Sequence, residues 1–332
     1  MENSSQVTFF ILSAYDKIGQ IKYFYFSIVM LLYVFIIVAN SLLIIVIFAD
    51  RNLHEPMYLF LCNLSVNGLY GSTALYPSLL VNMLSDIHEI PRAFCIIQIF
   101  CLYTYGSIEF SNLALMSYDR YVSICYPLEY HTIMTQGNVY ICITCVWLFS
   151  ICKFTVTLIL SVRLKLCDNV IDKVYCDNYL MVKLACSDTT LNNAYGMTNM
   201  FVSVALPVVL IFYSYSKVMK ICLRSSRESQ IKALNTCMPH LVSLLNFSFG
   251  SFFELVQTRF DMTHVPSVVR SILSVYFILF PPLLNPIIYG IKTEKIRKAF
   301  KKLQLSLQIP VAFRKSKETL DSVTQVSHKA ES

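Results

Sequence analysis

The sequence has few residues of the kinds that cover a soluble protein. Only 14% of its 332 residues are charged, while 56% are hydrophobic, and its mean hydropathy is +0.57. In soluble domains roughly a quarter of the residues are charged. This shortage of charge excludes an ordinary soluble domain, and it indicates that much of the apolar surface faces lipid.

Three further absences restrict the function. The first 22 residues lack the unbroken apolar core of a cleavable signal peptide, because charged residues are distributed among them. No paired half-sequences of the transporter type are visible. The six histidines are scattered, so they indicate neither a metal cluster nor a nucleophile with its base. We therefore expect no enzyme active site, no metal and no cofactor.

Seven long apolar stretches are present instead, each near the roughly 20 residues with which a helix spans a bilayer. They run over residues 23–48, 57–84, 94–121, 139–160, 197–223, 233–256 and 268–291. The predicted fold class is an all-α membrane protein, a seven-transmembrane helix bundle. Its predicted parts are an extracellular N-terminus (1–22), the seven-transmembrane domain (23–291) and a cytoplasmic tail (292–332).

Lysine and arginine are more frequent in the first, third and fifth loops and the tail than on the other side, which predicts a cytoplasmic C-terminus. Residues 294–305 should form a short amphipathic helix on the membrane surface, since Ile296, Phe300 and Leu303 recur at helical spacing among lysines. The net charge of +7 therefore faces membrane lipids rather than nucleic acid. Asn3 begins an Asn-Ser-Ser glycosylation sequence on the predicted outer side.

Four of the twelve cysteines, Cys95, Cys167, Cys176 and Cys186, fall on the predicted outer side, where disulfides form. Four cysteines allow three pairings, and the sequence does not choose among them. A zinc site is the alternative, but the neighbourhood lacks a second short-spaced pair. The long loop over residues 161–193 should close over the bundle, held by these bonds.

Charged residues inside apolar stretches are costly, so they indicate function or pairing. Asp119 and Arg120 end the third stretch, where they form either a switch or a simple interface anchor. Glu109 lies three helical turns earlier, at bilayer depth, and must be protonated, paired or bound to a cation. Lys153 is either a snorkelling or hydrogen-bonded side chain or a ligand-related one.

Several motifs in register resemble those of olfactory receptors, a branch of the rhodopsin-like G-protein-coupled receptors. They are LHEPMYLFLCNLS (53–65), SYDRYVSICYPLEYH (117–131), SYSKV (214–218), KALNTCMPHL (232–241) and PPLLNPIIYGIK (281–292). The resemblance covers roughly residues 23–303. It implies a plasma-membrane odorant receptor that binds a small organic ligand and activates a stimulatory or olfactory-type heterotrimeric G protein, raising cAMP. The nearest alternative is a receptor for a hormone or transmitter. Tissue expression would distinguish it from an odorant receptor.

The resemblance also implies residue roles. Asp119, Arg120 and Tyr121 match the ionic switch, and Tyr215 with Asn285, Pro286 and Tyr289 matches the residues that rearrange with it. Asn40 matches an interior polar position and Trp147 the fourth-helix anchor. Cys95 with Cys176 and Cys167 with Cys186 match the family's disulfides. Ligand positions match Leu102, Tyr103, Gly106, Ser107, Asn199, Met200, Ser203, Ser251, Phe252, Leu255, Val275 and Ile278. This set carries no fixed countercharge, which favours a weakly polar ligand.

Three positions depart from the family pattern. Gly68 stands where the family usually has an acid, Ala39 replaces a glycine, and Ser248 stands where a tyrosine is frequent. Without the acid at position 68, a single carboxylate should hold sodium poorly. We therefore expect Glu109 to be protonated or hydrogen-bonded to neighbours such as Ser72 or Asn285.

Overall fold

The structure is a computed structural model of the chain, and it describes residues 7–17, 21–224, 226–260 and 264–305. Eight helices matter for function: α1 (Lys22–Ala49), α2 (Pro56–Leu84), α3 (Arg92–Cys125), α4 (Gln136–Val162), α5 (Thr190–Cys222), α6 (Arg227–Arg259), α7 (Ser267–Lys292) and α8 (294–305). Two short helices occupy loops, Tyr130–Ile133 and Asn178–Lys183. The predicted glycosylation site at Asn3 and the tail beyond residue 305 lie outside the described residues.

Helices α1 to α7 pack as a membrane bundle. In the described part of the chain, five helices are long and apolar enough to cross a membrane: α1, α3, α4, α5 and α7. Their outward faces are apolar, with Leu31 on α1 71% exposed and Phe212 on α5 68% exposed. Such side chains would be unfavourable in water, so lipid must surround the bundle.

The helices extend beyond the apolar stretches predicted from the sequence. Helix α5 begins at Thr190 and α6 at Arg227, several residues before the predicted starts. Polar residues in these first turns hide a helix from a hydropathy pattern, but they can form one where the helix end projects beyond hydrocarbon.

Helix α5 contains one π-helical turn, Phe201–Ala205, just before Pro207. Proline supplies no N–H to the preceding turn and clashes with it, which favours a local widening of the helix. The extra residue turns Ser203 toward the bundle interior, where it is only 7% exposed.

A three-stranded sheet covers one end of the bundle, called here the sheet end. Strand β1 (Phe9–Leu12) pairs antiparallel with β2 (Glu89–Pro91) and parallel with β3 (Val170–Ile171) in the long loop. Phe10 and Leu12 are fully buried beneath it. The segment before α1, for which the sequence predicted only an extracellular position, thus ties two loops together. The opposite end, next to α8, is called the α8 end.

Candidate functional site

A cavity of about 170 Å³ lies inside the bundle near the sheet end. Nine of the twelve residues matched to ligand positions line it: Leu102, Tyr103, Gly106, Ser107, Asn199, Met200, Ser203, Ser251 and Leu255. Aromatic rings complete much of the apolar wall, with Phe110 on α3, Phe154 on α4, Phe247 on α6 and Phe277 on α7. The concave shape and the apolar lining suit a small organic molecule.

Three of the matched ligand positions do not line this cavity. Phe252 points away from the bundle and is 61% exposed. Ile278 is fully buried in the core, and Val275 packs against that core. On α6 the cavity is lined instead by Phe247, Ser251, Glu254, Leu255, Thr258 and Arg259, of which Ser251, Glu254, Leu255 and Thr258 follow the spacing of one helical face. The face rule of i, i+3, i+4 and i+7 would have replaced Phe252 with Glu254.

The long loop forms the roof of the cavity through Tyr175, Asp177 and Tyr179. The disulfide Cys95–Cys176 holds this stretch against α3, and the Cys176 amide donates to Gln98 Oε1 at 2.9 Å. The second bond, Cys167–Cys186, closes the loop on itself. These two bonds are the pairing pattern that the resemblance implied, one of the three patterns that the residues alone allowed.

The roof also carries charged residues that were not among the twelve matched ligand positions. Glu254 on α6 accepts hydrogen bonds from Lys173 and Tyr175 of the loop, and the Lys173 ammonium lies 3.8 Å from Asp177 Oδ2. Tyr103 OH donates to the same Asp177 oxygen at 3.0 Å. The expectation of a cavity without fixed charge is therefore wrong, because Asp177, Glu254 and Arg259 all line it.

Lys173 stays a cation in this setting. Burial disfavours its charge, but the carboxylates of Glu254 and Asp177 outweigh that effect and raise the pKa of the Lys173 ammonium above its ordinary value. Burial and the same two carboxylates raise the pKa of the Tyr175 phenol. The roof is therefore an ion cluster, formed by two acids and one base, that joins the loop to α6.

Lys153 lies on the wall between α3, α4 and α5. Its ammonium donates to Ser107 Oγ at 2.9 Å and Ser203 Oγ at 2.5 Å, and it lies 4.8 Å from the centre of the Phe154 ring. The residue is 8% exposed, so it does not snorkel to the membrane surface. Of the readings open from the sequence, the structure supports the hydrogen-bonded one, and the two serines place the ammonium directly behind the cavity wall.

A polar network occupies the middle of the bundle. Glu109, 1% exposed, accepts from Asn67 Nδ2 at 2.8 Å and from Asn285 Nδ2 at 3.2 Å. Of the two neighbours expected from the sequence, Asn285 is a partner, whereas the Ser72 hydroxyl has none in the described residues. Asn67 was missed, although it is one helical turn from Asn63 on α2.

Gly68 lies where α2 packs against α7 beside this network. A Cβ atom on Gly68 would lie 3.2 Å from Pro282 Cβ and 3.6 Å from Asn40 Oδ1. Asn40 in turn donates to the Pro282 carbonyl at 2.8 Å. An acidic side chain at position 68 would therefore need α7 to shift, which gives a packing reason for glycine there.

Trp147 connects three helices by hydrogen bonds. Its indole N–H donates to Asn63 Oδ1 at 2.8 Å, and Asn63 Nδ2 donates to Asn112 Oδ1 at 3.0 Å. Asn112 Nδ2 then donates to the Phe60 carbonyl at 2.9 Å. These hydrogen bonds fix α4 against α2 and α3. The same helices carry the cavity wall and the Glu109 network, so the bonds hold both in place.

The α8 end contains a second cavity, of about 610 Å³, lined by Arg120, His240, Tyr289 and charged residues of α6, α7 and α8. Asp119 is fully buried there, accepting from Arg120 Nε at 2.9 Å and from Tyr130 OH at 2.8 Å. Tyr289 OH lies 3.0 Å from His240 Nδ1. Tyr215 OH is buried without a partner in the described residues. Asp119 and Arg120 thus form an ion pair at this end, called here the lock.

The effect of the first disulfide can be tested directly. Cys176→Ser should reduce surface receptor severely, because a bond between residues 81 apart restrains the unfolded chain and typically contributes about 2–4 kcal/mol. Cys167→Ser should cost less, since its bond spans 19 residues. Surface labelling measures both, with the exposed free Cys145→Ser as control. Nonreducing peptide mapping that found the partners exchanged would contradict the pairing.

Comparisons with known proteins give one consistent result. Residues 29–306 match the family model described as olfactory receptor. The chain is 37% identical to human olfactory receptor 52B2 over 81% of its length and 83% of that receptor. It is 34% identical to mouse olfactory receptor 1E16, covering 85% of the chain and 92% of the relative. Rat olfactory receptor 1 is 32% identical over 92% of the chain and 99% of its own length.

Proposed function

This chain belongs to the olfactory receptor family of multi-pass membrane receptors, and from that membership we propose how it works. A small organic odorant binds in the cavity near the sheet end. Binding frees Arg120 at the α8 end to receive a heterotrimeric G protein of the stimulatory or olfactory type, which raises cAMP. The observation that carries this proposal is an apolar cavity at one end of the bundle together with the Asp119–Arg120 lock at the other.

The ligand site is supported by the character of the cavity wall. Phe110, Phe154, Phe247 and Phe277 offer apolar contact on four helices. Ser107 and Ser203 add hydroxyls, so an odorant with one polar group can be oriented as well as buried. Because these residues come from helices that move against each other in a switch, a ligand can stabilise one arrangement of the bundle over another.

Coupling between the two ends is supported by the interior network. Glu109 on α3 bonds to Asn67 on α2 and Asn285 on α7, and it lies between the cavity and the lock along α3. Asn285 and Tyr289 are one turn apart on α7, and Tyr289 contacts His240 of α6 at the second cavity. A shift of α6 or α7 at the ligand end would therefore alter contacts at the α8 end.

All seven long helices are inferred to cross the membrane. Strands β1 and β2, which precede α1 and α3, pair with each other, so both spans begin at the sheet end and the chain between them must return. With 29 residues, α2 is long enough for this at about 1.5 Å per residue. The same argument applies to α6 between α5 and α7. We place the sheet end outside, where its two disulfides are stable, and α8 on the cytoplasmic membrane surface with Lys295, Lys298 and Lys302 facing anionic lipid.

A ligand-panel screen with a cAMP readout tests the function. Cells expressing the receptor with an olfactory-type G protein should raise cAMP for a subset of small volatile compounds. Phe247→Ala should lower the potency of the active compounds, because it removes a buried ring from the wall. Phe252→Ala is the matched control, since that ring faces away from the bundle. If the active compounds signalled only through G proteins that do not raise cAMP, the proposed coupling to a stimulatory or olfactory-type G protein would be refuted.

A further inference from the structure

A strip of six consecutive residues in the long loop, 172–177, is bonded to three helices and to the segment before α1. It is called here the clasp. The Cys95–Cys176 disulfide fixes it to α3. Tyr15 OH donates to the Val174 carbonyl at 2.8 Å, and strand β3, directly before the clasp, pairs with β1. The clasp is therefore held in a set position against α3.

The clasp holds α6 through a buried ion pair. Glu254 on α6 accepts hydrogen bonds from Lys173 and Tyr175, and the side chains of Lys173 and Glu254 are only 3% and 11% exposed. Asp177 and Arg259 add one charge of each sign, so this cluster is neutral as it stands. Separating a buried pair leaves each charge without compensation, which is strongly unfavourable. The pair therefore resists movement of α6 away from the clasp.

Two further contacts join the clasp to α7. Tyr175 OH lies 3.1 Å from the Ser274 carbonyl, and Arg270 Nη1 lies 3.1 Å from Asp172 Oδ2. The Asp172 side chain is 53% exposed, so water screens this ion pair. The buried pair with α6 is thus the better shielded of the two ion pairs that the clasp makes with these helices.

Helix α6 connects this buried pair with the α8 end of the bundle. It carries Glu254 near its last turn, and it carries His240 at the second cavity, where His240 Nδ1 lies 3.0 Å from Tyr289 OH. The lock is closed in the same arrangement of the helices. Because one helix bears both contacts, a clasp that holds its sheet end favours the arrangement in which the lock is closed.

We propose that the Lys173–Glu254 pair is a latch that holds the receptor inactive from the sheet end, and that a bound ligand opens it. Glu254 and Tyr175 line the ligand cavity, so a ligand that fills the cavity packs against the acid and the phenol bonded to it. Lys173, 3% exposed, does not line the cavity, so its substitution tests the latch without changing the cavity wall. This inference deepens the proposed receptor function and rests on it.

The first readout is ligand-independent cAMP in cells that express the full-length receptor, normalised to surface label. Lys173→Gln and Glu254→Gln should each raise it by about fivefold or more, the lower end of coupling between distant sites. The double variant should rise no further than the single ones, because both changes remove the same pair. It leaves neither charge of the pair unmatched, so it carries the test if a single variant fails to reach the surface. Lys173→Arg keeps the cation and should stay near the wild-type baseline.

The second readout does not depend on a G protein. Hydrogen–deuterium exchange of purified receptor measures local opening of residues 117–131, which contain the lock. Lys173→Gln should speed exchange there, although the substitution lies at the opposite end of the bundle. Lys22→Gln is the matched control, because it breaks the exposed Lys22–Asp86 pair at the sheet end and should change neither readout.

Each contrary outcome has a distinct meaning. A ligand-responsive receptor in which Lys173→Gln changes neither baseline nor exchange overturns the latch and leaves the receptor function standing. A lowered baseline at normal surface level also overturns it, as does a double variant whose rise is the product of the two single rises. Silence in cAMP for wild type and variants across a ligand panel, with faster exchange in Lys173→Gln, overturns the proposed coupling and leaves the latch standing. Silence with unchanged exchange counts against both.

Discussion

Arg120→Ala is expected to abolish ligand-induced signalling in receptor that still reaches the cell surface. Arg120 lines the 610 Å³ cavity at the α8 end, and its guanidinium pairs there with the fully buried Asp119. In the described residues Arg120 pairs with one acid, Asp119. Alanine therefore removes the group that would meet the G protein, and it leaves a single buried acid without its cation. cAMP at saturating ligand, normalised to surface label, should fall to the level of cells without receptor.

The opposite change should follow from Asp119→Asn. Loss of the buried carboxylate releases Arg120, so ligand-independent cAMP should rise several-fold. Tyr130→Phe removes only the hydroxyl that donates to Asp119 Oδ1, and a smaller rise is expected. Glu129→Gln, an exposed acid beside the lock, is the control and should change neither quantity. Normal signalling in Arg120→Ala together with a normal baseline in Asp119→Asn would exclude the switch.

The second large effect is expected at Glu109. Glu109→Leu removes the acceptor of two buried amide donors, Asn67 Nδ2 and Asn285 Nδ2. An orphaned buried donor costs about 1–3 kcal/mol, and Asn67 keeps one alternative acceptor in the Tyr105 carbonyl at 3.1 Å. We therefore expect surface receptor to fall several-fold in Glu109→Leu and ligand responses to be lost.

Glu109→Gln should be tolerated better. The glutamine oxygen can still accept one bond, and its amide N–H can donate to Asn67 Oδ1 or Asn285 Oδ1, which are both unpartnered in the described residues. Ser72→Ala, the control, removes a buried hydroxyl that has no partner there and should change little. Potency should depend weakly on sodium in the wild type. A strong sodium dependence that vanishes in Glu109→Gln would show a cation site and contradict this account.

Much of the fold follows from local sequence features. The seven apolar stretches predicted seven long helices, and each lies within an observed helix except for a few terminal residues, because hydropathy reports directly whether a segment can be buried in lipid. The helix ends were less predictable. Polar first turns at Thr190 and Arg227 read as loop, since a sequence pattern does not reveal how far a helix extends beyond hydrocarbon. Strand β1 was missed because its four residues are all apolar and show no alternation of apolar and polar side chains.

The candidate site was predictable in part. Nine matched positions line the cavity: four on α3, three on α5 and two on α6. On α6 the set contained Phe252, which faces away, and it lacked the charged Glu254 on the lining face. Loop residues Tyr175, Asp177 and Tyr179 carry no periodic pattern, so only the disulfide to α3 shows that they reach the roof.

The sequence by itself determined that this protein is a helical membrane protein of the olfactory receptor family, and which cysteines and interior charges need partners. Only the tertiary structure decided those partners. Lys173 meets Glu254 from 81 residues away, and Glu109 meets Asn67 and Asn285 from two different helices. The physical reason is that apolar burial is a property of each segment alone. A buried polar contact depends instead on how the helices are rotated and spaced against each other, which close packing of the whole bundle fixes.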